Sequence, residues 1–118
     1  MLNMPLVCHF GKMLTGCANL STIKKTVSNK KLYPISRANP IWKEHGGRFW
    51  LNENVLKEMF GEVSTEINKF NKASQFTQAD GLRYAIESHR RRKWHCSGTI
   101  MWQMNEPWPN LTGTYAVD

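Results

Sequence analysis

From Val63 to Arg91 the apolar and small residues return at three- and four-residue steps. Val63, Ile67, Phe70, Ser74, Thr77, Gly81, Tyr84 and Ala85 form the stripe, reinforced by Ala73, Phe76 and Leu82. That spacing predicts one long amphipathic helix, opened by Ser64 or Thr65 and reaching about Arg91. Small residues on it (Ala73, Ser74, Ala79, Gly81, Ala85) allow another backbone to approach closely. After Trp94-His95-Cys96 the pattern changes: Gly98 opens a run, Thr99-Ile100-Met101-Trp102, rich in β-branched and aromatic side chains. Gln103, Asn105 and Glu106 come next, and Pro107 and Pro109 forbid a continuing ladder or helix. A strand that closes on a Trp, amides and a carboxylate is expected to end at a binding site.

Upstream, Met4 to Phe10 reads as a second short buried strand, stopped by Gly11. The order strand, helices, strand is that of a right-handed βαβ repeat of a parallel sheet, so the fold class is α/β, mostly helical by residue count. Two parallel strands make no stable sheet alone. The chain therefore reads as a slice of a larger α/β fold, with the strand ends near Phe10-Gly11 and Trp102-Gln103 on one face. In a closed (β/α)8 barrel that face carries the active site.

Two shorter helices are expected between the strands. Asn19 or Ser21 caps the first, through Ile23 and Val27 to about Asn29; Asn52 caps the second, from Glu53 to Phe60, which Gly61 terminates. Tyr33 to Trp50 reads as irregular, punctuated by Pro34, Pro40 and Gly46-Gly47, and its aromatics (Tyr33, Trp42, Phe49, Trp50) are expected to pack it down.

At 118 residues the length suits one domain. A formal net charge of +7 suits an anionic partner such as nucleic acid, and Arg90-Arg91-Arg92-Lys93 is the strongest argument for one. Yet that run falls in the last turn of the long helix, where cations offset the helix dipole, and consecutive positions splay around the helix. It reads as a solvated helix end, so no nucleic-acid partner is expected. Cys8, Cys17 and Cys96 are widely spaced and lack a C-x-x-C pair, which argues for buried reduced thiols over disulfides or zinc. His95-Cys96 lacks further ligands nearby, and neither a metal nor a cofactor is expected. No apolar run approaches the roughly 20 residues of a membrane span. No signal peptide is read at Met1 to Met13, and Asn19-Leu20-Ser21 and Asn110-Leu111-Thr112 read as chance matches to the glycosylation pattern.

The stretch from Ser97 to Pro109 (Ser-Gly-Thr-Ile-Met-Trp-Gln-Met-Asn-Glu-Pro-Trp-Pro) resembles the last barrel strand of glycoside hydrolase family 2 enzymes of the β-mannosidase and exo-β-glucosaminidase type. Ala73 to Glu87 followed by Arg90-Arg91-Arg92-Lys93 resembles the preceding helix. Asn39-Pro40-Ile41-Trp42 with His45-Gly46 fits the connecting region, and Tyr115-Ala116-Val117-Asp118 fits the segment after the last strand. The resemblance implies that residues 1–118 are a partial (β/α)8 TIM-barrel domain, from the seventh strand to just after the eighth. It further implies a retaining exo-glycosidase that hydrolyses terminal β-linked sugars, of β-mannoside or β-glucosaminide type, in carbohydrate catabolism. The implied partners are a carbohydrate substrate and the remainder of the parent barrel. The parent's compartment stays open between periplasm, secretion and cytoplasm.

In this family two glutamates about 5–5.5 Å apart act as acid/base and nucleophile. The acid/base glutamate belongs to the fourth strand, which the chain does not hold, so Asn105-Glu106 does not take that role. The nucleophile is expected in a Ser-Glu-Phe-Gly motif closing the seventh strand, where this chain has Cys8-His9-Phe10-Gly11. His9 thus stands at the catalytic position, and a neutral imidazole supplies no anionic oxygen to form a glycosyl-enzyme. The isolated chain is therefore expected to be inactive. Cys8 is no partner for His9, because adjacent strand residues point to opposite faces. The resemblance implies Trp102 as the aromatic floor under the reacting sugar, with Asn105, Glu106 and Trp108 as further substrate-binding candidates. The alternatives are a non-catalytic carbohydrate-binding remnant using Trp102 and Trp108, and a basic nucleic-acid-binding module.

Overall fold

The structure, a computed structural model, describes residues 6–9, 15–100 and 108–114, with residues 6–9, 50 and 114 described by their backbone. The chain enters as strand β1 (Leu6–His9), reaches a two-residue strand β2 (Gly16–Cys17) and turns into helix α1 (Leu20–Thr26). A 3₁₀ turn (Asn29–Lys31) leads to the short helices α2 (Pro40–Trp42) and α3 (Arg48–Trp50). Then come α4 (Glu53–Phe60), the 25-residue α5 (Ile67–Arg91), β3 (Cys96–Ile100) and β4 (Thr112–Thr114).

The expected βαβ order is present: β1 and β3 pair in parallel, with Leu6 opposite Cys96, Cys8 opposite Thr99 and His9 opposite Ile100. β2 and β4 form a second, antiparallel pair, Gly16 opposite Thr114 and Cys17 opposite Thr112, which sequence patterning does not predict. Strands of two and three residues carry no alternation to read; non-local pairing creates them. Met101 to Pro107 and Tyr115 to Asp118 lie outside the described residues, so only the first part of the expected Thr99–Trp102 strand is seen, and it begins earlier, at Cys96.

The segment expected to be irregular is partly helical. Asn39 opens α2 as its side-chain carbonyl accepts from the Ile41 N–H at 3.0 Å. Its amide donates to the carbonyls of Lys31 (3.1 Å) and Pro34 (2.9 Å). One buried Asn thus caps a helix and ties two turns upstream. The helical course breaks at His45 (φ −97°, ψ 43°) and Gly46 (φ 92°) and resumes in α3. Of the aromatics expected to hold this segment, Trp42 does so, fully buried, whereas Tyr33 and Phe49 are exposed. The Trp42 indole N–H donates to the Leu32 carbonyl at 2.7 Å, and its ring meets Phe70 of α5 edge-on at 5.9 Å. Around this pair lie Ile23, Val27, Leu32, Leu51, Leu56, Ile67 and Leu111, so one core joins the connecting region to α5 and to the segment after β3.

Helix α4 has its expected bounds, and Gly61 takes the left-handed conformation (φ 79°) that ends it. Neither Asn19 nor Asn52 caps through its side chain. Asn19 Oδ1 accepts from Gln75 at 3.2 Å, and the Asn52 amide donates to Thr15 Oγ1 at 3.3 Å, so tertiary contacts claim both groups. Helix α1 stops at Thr26, before Asn29, because Val27 is extended. Helix α5 starts at Ile67, later than the expected Ser64 or Thr65 cap.

Its buried face is more polar than the apolar stripe predicts. Ile67, Phe70, Ser74, Thr77 and Ala85 are buried, but so are Asn71 and Gln78, while Phe76 and Tyr84 are exposed. The polar residues serve β2 and the turn after it. The Cys17 N–H donates to Ser74 Oγ at 3.0 Å, Asn71 Nδ2 to the Ala18 carbonyl at 2.6 Å, and Gln75 Nε2 to the Cys17 carbonyl at 3.3 Å. A two-residue strand satisfies few of its own backbone groups, and the helix side chains supply the rest. A close approach also occurs at Gly16 of β2, where a Cβ would come within 2.5 Å of Gln78 Oε1; this glycine is not one of the small residues expected to admit a neighbour.

At the other end of α5, Arg91 donates to Ser88 Oγ at 2.9 Å and lies 4.0 Å from Glu87 across exposed surface, an ion pair of little energetic weight. Cys17 is buried and Cys96 half-buried, both as free thiols.

Candidate functional site at the strand ends

Parallel pairing puts the carboxyl ends of β1 and β3 side by side, with His9 opposite Ile100 as the last matched residues. His9 is the last described residue of β1; Phe10 and Gly11 lie outside the described residues. Beyond these ends the two chain continuations meet again as the antiparallel pair β2–β4. The two continuations are thus tied to each other at β2 and β4. Hydrogen bonds reinforce the tie: the Ala18 N–H donates to the Leu111 carbonyl at 3.1 Å.

Trp102, Asn105 and Glu106 lie outside the described residues; Trp108 lies within them and is more than half exposed (57%). Its ring stacks on the imidazole of His45, centroids 5.6 Å apart and planes 18° from parallel. His45 Nδ1 lies 2.7 Å from the Pro109 carbonyl, and because that carbonyl only accepts, Nδ1 carries the proton and donates. The Leu111 N–H in turn donates to the His45 carbonyl at 2.9 Å. Thus one residue at the α2–α3 kink grips Trp108, Pro109 and Leu111 through ring, side chain and backbone.

Gly46 makes this grip possible. Its φ of 92° belongs to the region glycine tolerates, and a Cβ there would overlap the Thr112 carbonyl oxygen. Sequence patterning puts His45-Gly46 in the connecting region and gives neither a role. The local signal is weak: a histidine before two glycines marks a break, but its partners lie more than sixty positions away.

The Cys17 thiol is wholly enclosed between α5 and β4. Burial pushes its pKa up from 9.0 to about 11, against the opposing effect of hydrogen bonds with Ser74 and Thr112. Such a thiol is a packing group, not a nucleophile. Among the described residues no group of three or more His, Cys, Asp or Glu side chains gathers as a metal site. No helix among them is long and apolar enough to cross a membrane.

No protein-family model and no curated protein matches the chain. Among solved structures it is similar to the β-D-mannosidase from Dictyoglomus thermophilum, at 28% sequence identity and a TM-score of 0.70. The match covers 90% of this chain and 13% of that one. The resemblance carried by the sequence motifs is therefore present in three dimensions: the chain is similar to a segment of a β-mannosidase of the glycoside hydrolase family 2 type. It spans about an eighth of that enzyme's length.

Proposed function

We propose that this chain is part of the catalytic (β/α)8 barrel of a retaining exo-glycosidase acting on terminal β-linked sugars of β-mannoside or β-glucosaminide type. In this reading β1 is the seventh barrel strand, β3 the eighth, and residues 1–118 form one partial domain. The observation that carries it is the parallel pairing of β1 with β3, with His9 opposite Ile100, two positions before Trp102 in the sequence. The similarity to a β-mannosidase over 90% of the chain supports the same assignment. So do the large apolar side chains left on the surface, Tyr84, Trp94 and Ile100 among them, which suit contact with the rest of a barrel.

Within such a barrel Trp102 presents its face to the C–H groups of the sugar, and Asn105, Glu106 and Trp108 line the same cleft. No metal or cofactor takes part: two carboxylates suffice, one donating a proton to the leaving oxygen and one attacking the anomeric carbon. His9 occupies the second position. An imidazole, neutral or protonated, can neither form the acylal-type glycosyl ester nor balance the oxocarbenium charge with an anionic oxygen, so the chain as it stands binds sugar at most. The test is an assay of the purified 118-residue chain with aryl β-mannosides and aryl β-glucosaminides. No release of the aryl group is expected; turnover that survives repurification would overturn the inactive assignment.

A further inference from the structure

The contacts of His45 go beyond a helix break. We infer that His45 is a positioning residue that sets the segment Trp108–Leu111 and, through it, the exit of the chain from the proposed sugar cleft. Placing that exit in a cleft rests on the function proposed above; the clamp itself rests on geometry alone.

Three independent contacts converge on this residue. The imidazole face covers one side of the Trp108 ring, Nδ1–H holds the Pro109 carbonyl, and the main-chain carbonyl holds the Leu111 N–H. Trp108 is followed by Pro109, which has no N–H to donate, and the Asn110 N–H is already used by the Trp108 carbonyl at 2.8 Å. Downstream, the Leu111 carbonyl accepts from the Ala18 N–H at 3.1 Å and β4 begins with Thr112 opposite Cys17. Trp108 and Pro109 lie upstream of these contacts and meet His45 through its ring and Nδ1.

The imidazole is also the side chain that this geometry requires. A planar aromatic ring is needed to stack within 18° of the indole, and a donor at the Nδ1 position is needed for the carbonyl. Phenylalanine supplies the first alone; asparagine, whose Nδ2 sits close to where Nδ1 lies, supplies the second alone. The two substitutions thus separate stacking from hydrogen bonding. Trp108 becomes part of a two-ring stack with one face turned from His45, a shape suited to receive the apolar face of a pyranose.

Hydrogen exchange on the 118-residue chain tests the clamp without reference to activity. In His45→Ala the amides of Asn110 and Leu111 are expected to exchange about tenfold faster, since one hydrogen bond and one ring contact are lost. The amides of α4 serve as the internal control for folding and are expected to be unchanged. His45→Asn restores most of the protection, whereas His45→Phe does not; His45→Phe instead retains the near-ultraviolet dichroism of Trp108, identified by its loss in Trp108→Phe. Unchanged exchange of Asn110 and Leu111 in His45→Ala, with α4 protected, overturns the inference. So does equal loss in all three variants, which marks a residue needed only for packing. If His45→Ala unfolds α4 as well, the pair His45→Asn and His45→Phe decides: rescue by asparagine upholds the clamp and failure of both rejects it. The glycosidase reading stands or falls separately, on hydrolysis.

Discussion

His9 and Ile100 face each other as the last matched residues of two parallel strands that are separated in sequence by the whole helical part of the chain. A parallel pair needs such a crossover, and α5 is its longest element. Further along the two continuations, Gly16 pairs with Thr114 and Cys17 with Thr112.

The enclosed thiol gives the molecule a defined response to alkali. The pKa of Cys17 is raised from 9.0 to about 11 by folding, so between those values the unfolded chain gives up a proton that the folded chain keeps. The folded state binds more protons, and stability falls as pH rises. The contribution is complete below pH 9 and is lost progressively as pH passes towards 11. It corresponds to about 2–3 kcal/mol. Urea unfolding of the chain and of Cys17→Ala across this range checks it: the difference in slope against pH belongs to the thiol, and parallel slopes would contradict its enclosure.

Gly46→Ala is expected to destabilise by about 2–4 kcal/mol, combining a left-handed backbone with a methyl group pressed on the Thr112 carbonyl. Gly61→Ala, also at positive φ but with open space around it, is expected to cost only about 1 kcal/mol. Denaturant midpoints of the two variants measure the difference, and equal losses would show that the Gly46 contact is not tight.

Asn71→Ala leaves the Ala18 carbonyl without its 2.6 Å partner in a buried setting, for an expected loss of about 1–3 kcal/mol. Trp42→Ala is expected to lose about 3–5 kcal/mol, through the cavity and the unpaired Leu32 carbonyl. Trp42→Phe separates these causes, since it keeps most of the volume and loses the donor. Thermal unfolding of the three variants ranks them.

These variants also mark where the sequence is readable. The helix from Glu53 to Phe60 and its stop at Gly61, the long helix near Arg91 and the parallel strands all agree with periodicity and local punctuation, which are short-range signals. Periodicity puts Phe76 and Tyr84 on the buried stripe because they are apolar, and it leaves out Asn71 and Gln78 because they are polar. Asn71 is buried against the bare backbone after β2, and that demand exists only once the chain has folded. Asn39 and His45 belong to the same class: each binds carbonyls that other segments present to it. The contacts of His45 with Trp108, Pro109 and Leu111 are not legible in the sequence for the same reason.

If β1 is the nucleophile-bearing strand of a glycosidase barrel, disabled at His9, restoring the carboxylate restores the chemistry. The direct measurement exchanges the matching segment of the Dictyoglomus thermophilum β-D-mannosidase for this chain, once with His9 and once with His9→Glu, and records aryl β-mannoside hydrolysis by the folded hybrids. No hydrolysis is predicted with His9 and clear hydrolysis with His9→Glu, the carboxylate supplying the covalent step. Equal activity of the two hybrids, or a folded His9→Glu hybrid that stays inert, would contradict the assignment of β1.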